Sequence, residues 1–157
     1  MSGAELPVCS RRRFLGLAGR SVVGGLMLPA AVACSTDVGE PRTLSFTVSQ
    51  FPHLALTGGL VVAQVDELKL LLIRSSAQEV VALDSRCTHV LCDLSPDVYG
   101  KWDGTVLTCT CHGSQFDAQG NAMTPPALLP LGRYPVTFDP VSGQGSVDLE
   151  HPLVAPP

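Results

Sequence analysis

The sequence predicts an all-β domain of antiparallel strands, with the loops that carry the chemistry projecting from one end. Two observations predict this class. Short runs rich in leucine and β-branched residues recur from residue 44 onward, and turn-forming residues such as Gly58-Gly59 separate them. Beyond the first 34 residues, no window has an apolar stripe with helical periodicity.

Seven runs are predicted to be strands. In chain order they are residues 44–48, 60–65, 68–74, 79–83, 105–108, 134–138 and 146–149. The third run has one polar residue in its interior, Lys69, and is too apolar to present one buried and one solvated face. We therefore expect that strand to be buried on both sides.

Two short segments carry residues that ligate metals. The first, Cys-Thr-His-Val-Leu-Cys, supplies Cys87 and His89, and the second, Cys-Thr-Cys-His-Gly-Ser-Gln-Phe, supplies Cys109 and His112. These spacings of two and three residues allow each loop to direct one thiolate and one imidazole to a common site. A Cys₂His₂ zinc site is one interpretation. Zinc fingers group Cys with Cys and His with His, whereas each loop here supplies one of each, which favours a two-metal centre.

This pattern resembles the Rieske iron–sulfur proteins, in which two Cys hold one iron and two His hold the other iron of a [2Fe–2S] cluster. The resemblance is specific over residues 87–117 and thinner elsewhere. It implies a Rieske-type β-sandwich with a small cluster-binding subdomain formed by the two loops. It also implies one [2Fe–2S] cluster per chain, held by Cys87, His89, Cys109 and His112, and an electron-transfer subunit rather than a stand-alone enzyme.

The resemblance assigns roles to two further segments. Cys92 and Cys111 are expected to form a disulfide that ties the two ligand loops together, a pair that ferredoxins of ring-hydroxylating oxygenases usually lack. Residues 124–131 fall where Rieske proteins carry a proline-rich loop that shields the cluster. Pro125-Pro126-Ala127 stands there in place of the usual Gly-Pro-Ala. A rigid surface linker is the alternative interpretation of this segment.

Three residues near the ligands set further expectations. Ser114 is expected to donate a hydrogen bond to a bridging sulfide, which raises the potential. Phe116 stands where many high-potential members carry a Tyr that bonds a ligand sulfur, so we expect a potential below that of those members. Leu91 stands where Gly is common, and we expect the backbone there to need no positive φ.

The amino terminus resembles a twin-arginine export signal, Ser-Arg-Arg-Arg-Phe-Leu-Gly over residues 10–16. We expect residues 1–34 to be a leader or membrane anchor, 35–43 a flexible tether and 44–157 the cluster domain. Cys34 follows Ala-Val-Ala and is a candidate for lipidation, with an uncleaved anchor or a cleaved soluble form as alternatives. The expected location is the periplasmic side of a bacterial inner membrane, where a disulfide persists.

Charge narrows the classes of partner. Without the four Arg and one Glu of residues 1–34, six basic and thirteen acidic residues remain, a net charge near −7. This balance argues against nucleic acid and suits a basic acceptor such as a c-type cytochrome. A quinol-oxidising complex of the cytochrome bc kind is the expected assembly, and a periplasmic molybdenum oxidoreductase of the arsenite-oxidase kind is the alternative.

His53 and His151 lie outside both motifs and are expected to be structural or surface residues.

Overall fold

The computed structural model describes residues 41–157. The predictions for the twin-arginine segment, for Cys34 and for most of the tether lie outside the described residues. Within this part of the chain there are eleven strands and one 3₁₀ helix. In order they are β1 (Thr43–Thr47), the 3₁₀ helix (Pro52–Ala55), β2 (Leu60–Val65), β3 (Leu68–Ser76), β4 (Glu79–Asp84), β5 (Gly100–Trp102), β6 (Val106–Cys109), β7 (Gln115–Asp117), β8 (Ala122–Thr124), β9 (Arg133–Tyr134), β10 (Val136–Asp139) and β11 (Gln144–Asp148).

The strands form three antiparallel sheets. The central sheet has the order β2-β3-β4-β9, a second sheet has the order β1-β11-β10, and a third has the order β5-β6-β7-β8. Two hydrophobic cores lie on the two faces of the central sheet, one shared with each of the other sheets. The architecture is therefore the antiparallel all-β arrangement that the sequence predicts.

Strand β3 shows why the central sheet is apolar throughout. Leu71 and Ile73 belong to the core shared with the third sheet, whereas Leu70 and Leu72 belong to the core shared with the second. All four side chains are fully buried. Because neighbouring residues of a strand point to opposite faces, a strand between two cores needs apolar residues at every position. The expectation that this strand is buried on both sides is confirmed.

The third sheet carries the second ligand segment and is joined firmly to the central sheet. Leu107 of β6 and Phe116 of β7 are fully buried in the same core as Leu71 and Leu83. At the edge, the Trp102 indole donates a hydrogen bond of 2.6 Å to a backbone carbonyl in the turn before β2. The ligand loops therefore stand on a shared core rather than on a separate hinged unit.

The prediction of one strand over residues 134–138 was wrong. Pro135 interrupts it, and the two halves join different sheets: β9 pairs with β4, and β10 pairs with β11. Proline has no backbone N–H to donate to a ladder, which is why a strand breaks or changes sheet at such a position. The sequence reasoning also missed β5, β7 and β8, each of three residues.

Two histidines outside the motifs lie away from the ligand loops. His53 is exposed on the 3₁₀ helix. His151 is also exposed and lies 2.9 Å from Asp148. The hydrogen bond to Asp148 raises the pKa of His151 above its ordinary value.

Among residues 41–157, no helix has the length and apolar character needed to cross a bilayer.

Candidate metal centre

The two ligand loops have the same backbone construction. In the first, the Cys87 amide donates to the Cys92 carbonyl and the Leu91 amide donates back to the Cys87 carbonyl, at 2.9 and 2.8 Å. In the second, the Cys109 amide donates to the Ser114 carbonyl and the Gly113 amide donates back to the Cys109 carbonyl, both at 2.8 Å. Each loop therefore folds back on the cysteine that begins it.

The expectation that Leu91 needs no positive φ was wrong. Leu91 has φ of 61°, and Gly113, at the equivalent place in the second loop, has φ of 85°. Both residues stand four positions after the first cysteine, where the chain turns to close the loop. An L-residue in this left-handed region is strained, because its Cβ approaches backbone atoms. The common Gly at this position is thus a conformational requirement that this chain meets with an exposed leucine.

The predicted ligands are divided between the interior and the surface. Cys87 and Cys109 each retain 1% of their exposure, and they are the cysteines outside the disulfide within residues 41–157. His89 and His112 are exposed, with ring centroids 4.9 Å apart and ring planes at 84°. The structure thus pairs the two thiols with each other in the interior and the two imidazoles with each other at the surface.

The surroundings of Cys87 favour the neutral thiol in the absence of a bound cation. Burial raises the pKa of its thiol, and the Cys109 thiol beside it raises the pKa further. Against this, the His89 amide and the Ser114 hydroxyl lie where they donate toward the Cys87 sulfur, which favours the thiolate. A metal cation bound at two neighbouring buried thiols would stabilise their thiolate forms. The donor set of two thiols and two imidazoles therefore fits a Rieske [2Fe–2S] cluster.

The disulfide between Cys92 and Cys111 is present, with Cα atoms 6.7 Å apart, and joins the two loops as expected. Its two sulfurs and the Cys109 sulfur all lie within 4.8 Å of one another. Of these three, only Cys109 is a thiol, since disulfide sulfurs are not available as thiolate ligands. The bridge therefore lies directly behind a predicted iron ligand.

The proline-rich segment contacts both ligand loops. The Ala127 amide donates to the Ser114 Oγ at 2.9 Å, and the Thr88 Oγ1 donates to the Leu129 carbonyl at 2.7 Å. The Pro125–Pro126 peptide is cis. These contacts fit a loop that covers the site, and they do not fit a free surface linker.

Sequence reasoning missed two ion pairs at the neck of the first ligand loop. Arg86 and Asp93 face each other across this neck in an isolated antiparallel bridge. The Arg86 guanidinium binds the buried Asp84 carboxylate at 2.7 and 2.9 Å, and Lys69 of β3 binds Asp93 at 2.7 Å. Burial opposes ionisation of Asp93, but donation from Lys69 and Ser95 outweighs it and holds the pKa of Asp93 below its usual value.

No pattern in the sequence indicates the Lys69–Asp93 pair, because these residues are 24 positions apart and meet only through the fold. Arg86 and Asp84 are only two positions apart, so their closeness in sequence could have suggested that pair. The neck itself adjoins the central sheet. The Ser85 amide donates to the Lys69 carbonyl, and the Leu94 amide donates to the Ser85 carbonyl. The first ligand loop is therefore held by the sheet at both of its ends.

Comparison with known proteins identifies the class. The family model for the Rieske [2Fe-2S] domain matches residues 46–135, which include both ligand segments. The chain therefore belongs to the Rieske [2Fe-2S] family, and its cofactor is a [2Fe–2S] cluster rather than zinc.

Individual relatives and solved structures show which Rieske proteins the chain is similar to. The cytochrome b6-f complex iron-sulfur subunit of Prochlorococcus marinus strain MIT 9211 is 27% identical over 83% of this chain and 81% of its own. Among solved structures, the Sphingomonas yanoikuyae B1 ferredoxin is 29% identical, with a TM-score of 0.51 over 68% of this chain and 98% of its own. The plasma membrane Rieske protein PetC3 from Synechocystis PCC 6803, at 19% identity, shares the fold, with a TM-score of 0.50 over 64% of this chain and 93% of its own. The chain is thus a Rieske electron-transfer protein related to the iron–sulfur subunits of cytochrome b6-f complexes.

Proposed function

We propose that this protein carries single electrons from a quinol-oxidising membrane complex of the cytochrome bc kind to a c-type cytochrome, on the periplasmic side of a bacterial inner membrane. In this proposal Cys87 and Cys109 hold one iron, and His89 and His112 hold the other. When bound, the cluster accepts and releases one electron. The observation that carries the proposal is the exposure of both imidazoles, 4.9 Å apart, above two buried thiols.

The surface around the histidines supports contact with an apolar partner site. Four exposed apolar side chains surround this end of the molecule, and we call them the apolar rim: Val90, Leu91, Leu128 and Leu129. Val90 and Leu91 follow His89 in the first ligand loop, and Leu129 is tied to that loop through Thr88. Exposed apolar groups gathered at one site mark interaction surfaces. An imidazole ring nitrogen at such a surface can accept a hydrogen bond from a quinol hydroxyl where water is excluded.

Three further observations support the assembly and the location. Relatives of the chain are subunits of the cytochrome b6-f complex. The Cys92–Cys111 disulfide suits an oxidising compartment. The twin-arginine pattern of residues 10–16 and the candidate lipidation site at Cys34 support export followed by membrane tethering.

The proposal is tested by quinol-dependent reduction of a c-type cytochrome in membranes that contain the full-length chain. Leu128→Asp, in the apolar rim, should lower the reduction rate at least tenfold while the paramagnetic resonance spectrum of the cluster stays unchanged. Val141→Asp is the matched control, because Val141 is also a highly exposed apolar residue but lies in the turn between β10 and β11. Equal rates in both variants would show that the apolar rim does not meet the donor.

A second assembly has one observation in its favour. Phe116 supplies no hydroxyl to a ligand sulfur. A phenylalanine at this position would also fit the small Rieske subunit of a periplasmic molybdenum oxidoreductase of the arsenite-oxidase kind. Metal analysis of the complex purified through the full-length chain distinguishes the two assemblies. Molybdenum in stoichiometric amount would replace the first proposal, and haem b with no molybdenum would support it.

A further inference from the structure

The Cys92–Cys111 disulfide lies against a thiol that is free to react whenever it holds no iron. The sulfurs of Cys92, Cys109 and Cys111 all lie within 4.8 Å of one another, and Cys109 is the free member. Thiol–disulfide exchange proceeds by attack of a thiolate on a disulfide sulfur. The reaction is faster when the thiol and the disulfide are held close together in one molecule. We propose that, in the cluster-free protein, Cys109 exchanges into this disulfide and thereby removes itself from the ligand set.

The reaction balances without any external oxidant. Cys109 loses its thiol proton, and its sulfur forms a new S–S bond to the sulfur of Cys92 or Cys111. The Cys92–Cys111 bond breaks, and the released sulfur takes up a proton. One disulfide and one thiol are present before and after the step, so no electron enters or leaves the protein.

Burial does not prevent this step. Cys109 retains 1% of its exposure, so external thiols and oxidants reach it poorly, but its reaction partner lies beside it inside the protein. Cys87, the other free thiol among residues 41–157, is not a member of this sulfur trio. The geometry therefore selects Cys109 as the attacking group.

The consequence is an order of events for maturation. A chain whose bridge has moved to Cys109 retains one cysteine and two histidines of the proposed ligand set and cannot hold the cluster. Iron bound at Cys109 blocks the exchange, because a ligating thiolate is not free to attack. The cluster must therefore be inserted before the Cys92–Cys111 disulfide forms, because a free Cys109 would otherwise attack that disulfide. This inference rests on the proposed ligand role of Cys109.

The test follows the position of the disulfide. The full-length holoprotein is divided, and the cluster is removed from one half with a chelator under strict anaerobiosis. Samples are quenched in acid over minutes to hours, the range known for uncatalysed disulfide rearrangement. Free thiols are then alkylated in denaturant, and the labelled cysteines are located by tandem mass spectrometry. In the cluster-free half, label should disappear from Cys109 and appear on Cys92 or Cys111.

Two variants serve as matched controls. Cys87→Ser lacks the cluster but retains Cys109, so its bridge should move as in the cluster-free protein. Cys109→Ser also lacks the cluster, and its bridge should remain between Cys92 and Cys111. A second readout is the fraction of chains that accept iron and sulfide again. It should fall in step with the exchange and recover after treatment with a dithiol.

The possible outcomes separate this inference from the proposed function. Exchange in the cluster-free half alone supports both. Exchange at equal rates in both halves supports the exchange and contradicts Cys109 as an iron ligand. A bridge that stays at Cys92–Cys111 in the cluster-free protein and in Cys87→Ser overturns the inference, while the cluster spectrum of the holoprotein still tests the ligand role.

Discussion

Ser114 links three parts of the site through one hydroxyl group. Its Oγ accepts the Ala127 amide of the proline-rich segment, which leaves the hydroxyl hydrogen free to point toward the Cys87 sulfur. The side chain is fully buried, so water cannot replace either contact. Hydrogen bonds to a ligand sulfur stabilise the more negative, reduced cluster and raise its potential. At the scale of single residues, this hydroxyl should therefore set part of the potential.

Replacement of Ser114 by Ala should lower the potential and leave the cluster in place. A hydrogen bond to a charged group contributes about 1.5–3 kcal/mol. For a one-electron couple this corresponds to at most roughly 60–130 mV. Ser114→Thr retains the hydroxyl and is the control, so its potential should stay near that of the unmodified protein. A redox titration that finds the same potential for the Ala and Thr variants would remove Ser114 from this role.

Leu91 permits a stability prediction, because its φ of 61° is costly for leucine and free for glycine. The left-handed conformation costs an L-residue about 1–2 kcal/mol, and the greater freedom of glycine in the unfolded chain offsets about 0.5–1 kcal/mol of this. Leu91→Gly should therefore stabilise the loop by about 1 kcal/mol or less, seen as slower loss of cluster absorbance on heating. Leu91→Ala retains the strain and should show no gain. An Ala variant as stable as the Gly variant would contradict this account.

At the scale of elements, both ends of the first ligand loop are anchored to the central sheet. An isolated backbone β-bridge between Arg86 and Asp93 closes the neck. Lys69 on β3 forms an ion pair with the Asp93 carboxylate. An exposed ion pair contributes little on its own. Here the pair is combined with two hydrogen bonds from Ser95 to the same carboxylate, so that one side chain organises the residues that follow Cys92.

The ion pair at the neck predicts a pH dependence. Because the pKa of Asp93 in the folded protein lies below its usual value of 3.8, ionised Asp93 stabilises the fold. This contribution is fully present above the usual carboxylate range and is lost as the pH falls through the lowered pKa. Asp93→Asn should therefore be less stable than the unmodified protein near neutral pH and lose less stability on acidification below pH 4.

Thermal unfolding monitored by circular dichroism at several pH values measures this difference. Glu150→Gln is the control, since it removes one negative charge from an exposed residue near the carboxyl terminus. A Glu150→Gln variant with the same acid profile as Asp93→Asn would assign the effect to net charge alone, and the neck would lose its role.

At the scale of the whole molecule, three sheets and two cores present a small chemical site at one end. The sequence predicted the central strands well because their apolar runs are long and bounded by clear turns; residues 60–65 coincide with β2. The spacing of the two ligand segments indicated the family, and the disulfide partners that the same resemblance implied are confirmed. The assignment of the four ligands stays a prediction.

Other features could not be predicted in this way. Strands β5, β7 and β8 have three residues each, too few for a period to show. The Lys69–Asp93 ion pair at the neck depends on a contact between residues that are distant in sequence. Two errors were avoidable: Pro135 lies inside the predicted strand 134–138, and Gly113 stands at the position in the second loop that matches Leu91 in the first. Comparing the two loops residue by residue would have indicated the positive φ.

In the proposed function, Cys87, His89, Cys109 and His112 hold a Rieske cluster. Its exposed imidazoles meet a quinol. The most direct test is a redox titration of the full-length protein at several pH values, followed by electron paramagnetic resonance. We predict a Rieske spectrum and a positive potential that falls as the pH is raised, because reduction draws a proton to an imidazole nitrogen. With Phe116 in place of tyrosine, this potential should lie below that of tyrosine-bearing members. A negative potential that is constant with pH would contradict quinol oxidation and place the chain with ferredoxin-like electron carriers.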